Sequence, residues 1–308
     1  MQPDPHADPT DQKVVITCAL TGVLANRNQC QGIPYTPAEI AEEARRVYDQ
    51  GAAAVHIHAR EDDGSPSFRP EVFAAIKEEV RARCPIIINF STGAISEDVT
   101  LQVEMIKNVR PEIAALNMGS MNYAKYSERR KGFVFDMIFP NPYSKIMALL
   151  TAMNEAGVKP ELECFDTGHT HGIWPLIDMG LLRAPMQLSF IVNVLGGIPA
   201  TVESLQLQAK LRPPGSQWEV IGISHGHWRM LATALVLGGN IRTGLEDHLY
   251  LPSGEMARSN GELAAVAARL VRDTGRQVAS VDEARAILGL DQYAAGRDAA
   301  RDLAAARV

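Results

Sequence analysis

Two short segments far apart in the chain carry the side chains best suited to chemistry. They are Val55-His56-Ile57-His58-Ala59-Arg60 and Arg242-Thr243-Gly244-Leu245-Glu246-Asp247-His248. The first reads as a strand, in which alternate side chains share a face, so His56 and His58 point the same way. Read as a strand end, the second puts Glu246 on the face of Arg242 and Gly244, with Asp247 one step beyond. Two imidazoles and a carboxylate make a three-ligand set for a divalent cation with one position left open, the pattern of catalytic rather than structural sites. The bland alternatives are a satisfied pair of core histidines and a pair of acids that merely caps the next helix, a cap being worth about 1 kcal/mol. Two imidazoles buried on one face of an apolar strand need partners, however. The acids follow Arg242, beside which a carboxylate stays ionised. The functional reading is preferred for both segments.

The elements that must position these residues alternate from one end of the chain to the other. Strands are expected at 14–20, 53–58, 85–90, 112–117, 159–165, 186–194, 218–224 and 240–245. Thr36-Pro37-Ala38-Glu39 supplies an N-cap, an N1 proline and an N3 acid for a helix running to about Gln50. Further helices are expected at 70–82, 96–108, 141–156, 259–274 and 281–288, with an unusually long connection before the fourth of these six. Eight strand–helix units without a break in composition point to a (β/α)8 barrel, in one α/β domain. A doubly wound sheet is the rival, but no GxGxxG follows the first strand. The expected organisation is a loose tail at 1–13, the barrel at 14–290 and a helical extension at 291–308.

In such a barrel the site is built from the carboxyl ends of the strands, and polar residues gather there. Asn89, Ser91 and Thr92 end the third strand; Asn117 and Ser120 end the fourth. Glu161 and Glu163 lie on the fifth, followed by Asp166, His169 and His171. Asn193 ends the sixth, and His225 and His227 follow the seventh. His169-x-His171, between two glycines, reads as a flexible turn that is either solvated or substrate-facing. His225-x-His227 reads as a loop at the mouth, suited to contact with substrate or coenzyme more than to a metal.

Composition narrows the function classes. A formal net charge of −6 gives no basic field for nucleic acid or an anionic membrane. Cys18, Cys30, Cys84 and Cys164 show no CxxC spacing and mostly lie in apolar runs, which suits buried thiols in a reducing compartment. No stretch approaches a transmembrane length, and the polar, proline-bearing start lacks a signal pattern. The expectation is a cytoplasmic enzyme acting on small molecules.

Five motifs then fall in one order: His56-x-His58-Ala-Arg, Asn89-Phe-Ser91-Thr92-Gly93, Leu116-Asn-Met-Gly119-Ser120-Met-Asn122, Lys159-Pro-Glu-Leu-Glu163-x-Phe-Asp166 and Gly244-Leu-Glu246-Asp247. Together, from about Val14 to Leu290, they resemble the β-keto acid cleavage enzymes, typified by 3-keto-5-aminohexanoate cleavage enzyme. The resemblance implies a TIM barrel with one zinc, Zn(2+), and a reaction of a β-keto acid with acetyl-CoA as co-substrate. It further implies acetoacetate and a new acyl-CoA as products, and a homo-oligomer, a tetramer. Carried over, His56, His58 and Glu246 hold the metal, Asp247 is the base and Arg242 its partner. Ser91, Gly93 and Ser120 lie near the substrate carboxylate, and Glu163 near the metal-bound group. This chain departs from the type enzyme between Thr21 and Thr36, where it has Arg27 and no acid. Burying an ammonium without a carboxylate is costly, so a neutral or anionic substrate tail is expected rather than a free amine. The alternatives are a metal-dependent amidohydrolase-like hydrolase, which would usually place its His pair on the first strand, and a non-catalytic metal-binding barrel.

Overall fold

The computed structural model describes residues 12–293. In chain order the first half runs β1 (Ile16–Ala19), α1 (Pro37–Asp49), β2 (Ala54–Ile57), α2 (Pro70–Arg83), β3 (Ile87–Phe90), α3 (Thr100–Val109) and β4 (Ile113–Asn117). An antiparallel pair, β5 (Met121–Ser127) and β6 (Gly132–Phe139), precedes α4 (Tyr143–Ala156) and β7 (Lys159–Cys164). Then come α5 (Thr167–His171), α6 (Ile173–Asp178), β8 (Gln187–Val192), α7 (Val202–Leu211) and β9 (Gln217–Gly222). The last elements are α8 (His227–Val236), β10 (Asn240–Thr243), α9 (Asn260–Asp273) and α10 (Val281–Ile287). Eight strands close into a parallel barrel in the order β1-β10-β9-β8-β7-β4-β3-β2, with β5 and β6 outside it. The (β/α)8 expectation is met.

Local signals account for most boundaries. Thr36 caps α1 by accepting from the Glu39 amide while the Glu39 carboxylate receives the Thr36 amide, a complete capping box behind Pro37. The third helix starts later than the expected Ser96, because side chains take over its first amides. Ser96 Oγ accepts from Asp98 N at 3.0 Å, and Asp98 Oδ1 accepts from Thr100 N at 2.9 Å. The long connection before α4 holds the β5–β6 hairpin, an element absent from the sequence-based assignment. Its base is fastened by Asn141, whose amide donates to Ser120 Oγ at 2.7 Å. The helical extension expected at 291–308 and the tail at 1–13 lie almost wholly outside the described residues. Among the described residues no helix is long and apolar enough to cross a membrane.

The main apolar core lies between the barrel and its helices, where Ile16, Val55, Ile88, Leu116, Leu162, Phe190 and Val220 face outward from successive strands. Each such side chain, fully buried, contributes about 1.5–3 kcal/mol. Alternation turns their neighbours inward, and those neighbours are polar: Thr17, His56, Asn89, Glu161, Ser189, Glu219 and Arg242 are all buried. Barrel interiors are ordinarily filled by branched aliphatics. This one encloses ionisable groups.

Candidate active site

His56 ends the polar interior row of β2, and His58 follows the strand on the same face. Thr21 fixes the second imidazole's backbone from both sides: its hydroxyl donates to His58 O at 2.8 Å and accepts from His58 N at 2.9 Å. Glu246 arrives differently from the expected strand alternation, because β10 stops at Thr243 and the chain turns. Gly244 makes that turn with φ +136°, and a Cβ there would collide with the carbonyl of Ala19, so a side chain is excluded. The amides of Asp247 and His248 then both donate to Gly244 O at 3.0 Å, presenting the two acids side by side.

The turn brings the three expected ligands together. His56 Nε2 lies 3.7 Å and His58 Nε2 3.5 Å from Glu246 Oε1, and one ligand atom from each residue falls within 4.8 Å of the others. A second group, His56 with Glu161 and Glu163, meets the same limit. Arg242 stands behind, 2% exposed, and all three of its guanidinium nitrogens are engaged. Nε and Nη2 donate to the two oxygens of Asp247, each at 3.0 Å; Nη2 also reaches Glu246 Oε1 at 2.6 Å, and Nη1 reaches Glu163 Oε1 at 3.5 Å.

Two observations bear on whether a cation fits. Both ring nitrogens of buried His56 and the Oε2 of Glu246 lack hydrogen-bond partners, and an unsatisfied buried group costs about 1–3 kcal/mol. Four carboxylates (Glu161, Glu163, Glu246 and Asp247) act on one guanidinium, that of Arg242. A divalent cation among these donors would satisfy the orphaned atoms and offset the excess negative charge. The residues therefore fit a metal.

The electrostatics divide the two adjacent acids. Burial, reinforced by Arg242, pushes His56 well below the usual imidazole range, so it is neutral. Burial alone would raise Glu246, but Arg242, and after it His58, outweigh it and hold this carboxyl well below the usual range. Burial drives Asp247 up to about 7 against the pull of Arg242, and burial with Glu161 drives Glu163 up to about 8. Glu246 is thus an ionised donor, while Asp247 is poised to exchange a proton near neutrality.

The remaining expected residues divide. Ser91 is buried and accepts from Gly93 N at 3.2 Å; a Cβ on Gly93 would stand 3.9 Å from His58 Cε1, which places both beside the trio. Ser120 is exposed and its oxygen serves the hairpin base. His169 does not lie in a flexible turn: it sits on α5, buried, with Nδ1 accepting from Phe165 N at 3.3 Å. His227 is not a loop residue at the mouth either. It opens α8, 1% exposed, with Nδ1 2.7 Å from Gly222 O and Nε2 3.0 Å from Thr243 Oγ1, and so ties that helix to the barrel wall.

Two residues went unassigned in the sequence. Glu161 shares the inward face of β7 with Glu163; it takes hydrogen bonds from Asn89 and from Ser189 Oγ, and its Oε2 lies 3.9 Å from His56 Nδ1. Its spacing from Glu163 was the available signal. Tyr123 comes from the hairpin, half-buried against Phe135, Phe139 and Phe165, and loss of solvent followed by the charge of Glu246 pushes its phenol up to about 12.

A closed eight-stranded barrel with acids, imidazoles and the Arg242 guanidinium gathered at the carboxyl ends of the strands is the architecture of an enzyme. The model of the family described as beta-keto acid cleavage enzyme matches residues 13–290, and the chain belongs to that family. It is 36% identical over 280 residues to the 3-keto-5-aminohexanoate cleavage enzyme of Fusobacterium nucleatum, covering 91% of this chain and 98% of that one. It is 31% identical to the 3,5-dioxohexanoate:acetyl-CoA acetone transferase of Paraburkholderia graminis, covering 91% and 97%. A solved binary complex of ObcA with oxaloacetate shares the fold, with a TM-score of 0.68 at 20% identity, covering 84% of this chain and 67% of that one.

Proposed function

We propose that this enzyme is a zinc-dependent β-keto acid:acetyl-CoA acyltransferase that converts a β-keto acid and acetyl-CoA into acetoacetate and a new acyl-CoA. His56, His58 and Glu246 would hold the zinc, a reading supported by their proximity and by the unpartnered atoms of His56 and Glu246. When bound, zinc supplies a Lewis acid for the oxygens of the keto acid. Ser91 and Gly93, beside His58, and Ser120 at the rim are proposed to take the substrate carboxylate, and Glu163 to face the reacting carbonyl.

Asp247 removes the proton from C2, the carbon between the keto group and the carboxylate. Arg242 holds both oxygens of that base in place and stabilises it once ionised. The C2 carbanion attacks the acetyl thioester carbonyl, a carbon–carbon bond forms, and coenzyme A leaves as its thiolate. The thiolate adds to C3, the C2–C3 bond breaks, and the fragment beyond it departs as the new acyl-CoA. Asp247 returns the proton to C2 of acetoacetate, so atoms and charge balance.

The observation that carries this reading is a base pinned by a buried guanidinium one residue from the ionised acid of the ligand trio. Four buried, unpaired cysteines favour a cytoplasmic location. The exposed Phe133, Val134 and Ile138 of the hairpin favour a homo-oligomer, which we take to be a tetramer. Incubation of purified, zinc-loaded protein with a β-keto acid, with and without acetyl-CoA, tests the activity. Acetoacetate that depends on acetyl-CoA is expected; turnover without it would indicate a hydrolase and contradict the proposal.

A further inference from the structure

A cavity of about 390 Å3 is walled by Val23, Pro66, Phe68, Ala94 and Ile95 from the loops after β1, β2 and β3 and by Leu101 of α3. Gly93 also lines it, and a Cβ there would stand 3.4 Å from Ser91 Oγ and 3.9 Å from His58 Cε1, so the missing side chain leaves an opening toward that imidazole. Val23, another lining residue, follows Gly22, where a Cβ would meet Glu246 Cγ at 2.7 Å. Two lining positions thus neighbour the ligand residues: Gly93 lies beside His58, and Val23 follows Gly22, which packs on Glu246.

No cation lines the cavity, and the two guanidinium groups of the neighbouring loops are already engaged. Arg27, the cation of the first loop, gives Nη2 to Glu39 at 2.6 Å and Nε to Ile33 O at 3.0 Å, and lies over the Tyr35 ring at 4.2 Å. Arg60 donates to the carbonyls of Thr21, Gly22, Ala25 and Gly64, holding that loop in shape. Neither guanidinium is free for a carboxylate. Asp98, the acid in the lining, is exposed at the rim, and its Oδ1 already accepts from both the amide and the hydroxyl of Thr100. An ammonium entering here would shed water without gaining a buried partner.

Resting on the reading of the site given above, we propose that this cavity receives the substrate tail and selects a short, uncharged aliphatic tail. Of the neutral and anionic tails expected from the sequence, the proposal takes the neutral one, because Arg27 already engages Glu39 and Tyr35.

The test is equilibrium binding of three six-carbon acids to zinc-loaded protein without acetyl-CoA: 3-oxohexanoate, 5-amino-3-oxohexanoate and 3-oxoadipate. The first should bind at least about tenfold more tightly than either charged analogue, because a charged tail would leave water without a buried partner. Val23→Glu should abolish that preference and favour the amine. Ile95→Glu should do the same at a position already 61% exposed, where folding is not at risk. Equal, weaker or undetectable binding of 3-oxohexanoate by the wild type overturns the inference. Adding acetyl-CoA afterwards tests the activity separately: absent acetoacetate would strike the reaction, while the order of binding still decides the tail.

Discussion

Replacing Arg242 by methionine removes the one buried cation that four carboxylates share. In the wild type its contacts are two 3.0 Å bonds to Asp247, one of 2.6 Å to Glu246 and one of 3.5 Å to Glu163. Breaking a buried pair by removing one partner costs about 3–5 kcal/mol, because the remaining charge is left uncompensated. For a chain of this size that corresponds to a fall in melting temperature of roughly 5–8 °C. The measurement is thermal unfolding of chelator-treated protein at pH 7 and a fixed scan rate. Returned zinc should narrow the gap, since a cation then offsets the same acids. Arg242→Lys is the discriminating control: it keeps the charge but cannot grip both oxygens of Asp247. It should recover much of the stability while kcat stays down by about a hundredfold, the usual effect of a misplaced catalytic group. Melting of Arg242→Met within about 2 °C of the wild type, well short of the fall just derived, or full activity of Arg242→Lys, would refute this account of the guanidinium.

Asp247→Asn should keep its zinc while kcat falls by about 10²–10⁴, the range for loss of a general base; metal analysis beside steady-state rates checks both halves. His56→Ala and Glu246→Gln should each purify with clearly less zinc than the one ion per chain expected of the wild type, and undiminished metal in both would remove them from the ligand set. At the far end of the first loop, slight burial works against ionisation of Glu39, but the amides of Thr36 and Tyr35 and the Arg27 side chain bring it down to about 2. Its contribution to stability is therefore present above about pH 4.5 and lost as pH falls toward 2. The melting difference between wild type and Glu39→Gln should shrink across that window.

The parts of this site legible in the sequence are those set by local periodicity. The alternation of β2 puts His56 and His58 on one face, and Thr36, Pro37 and Glu39 announce α1 by capping chemistry alone. Glu246 was found for a reason that the fold replaces: the chain leaves the strand at Thr243, and the acid reaches the histidines through a turn that only Gly244 permits. No periodicity carries that information. The β5–β6 hairpin escaped notice because its ladder shifts register between Lys125 and Tyr126 and its burial does not alternate cleanly; with it went Tyr123. Five-residue α5 is too short for a helical pattern to show, so His169 looked like part of a turn. His227 looked functional because a histidine near a glycine at a barrel mouth gives no hint of the two wall groups, Gly222 and Thr243, that it joins.

The most direct test of the reaction follows the carbon atoms. Zinc-loaded protein is given acetyl-CoA labelled in both acetyl carbons together with unlabelled 3-oxohexanoate, and the products are separated and read by mass and carbon NMR. The account predicts acetoacetate labelled at C3 and C4, with C1 and C2 unlabelled because they come from the keto acid, and an unlabelled butyryl-CoA. Label in the new acyl-CoA, or acyl-CoA formed without acetoacetate, would contradict it.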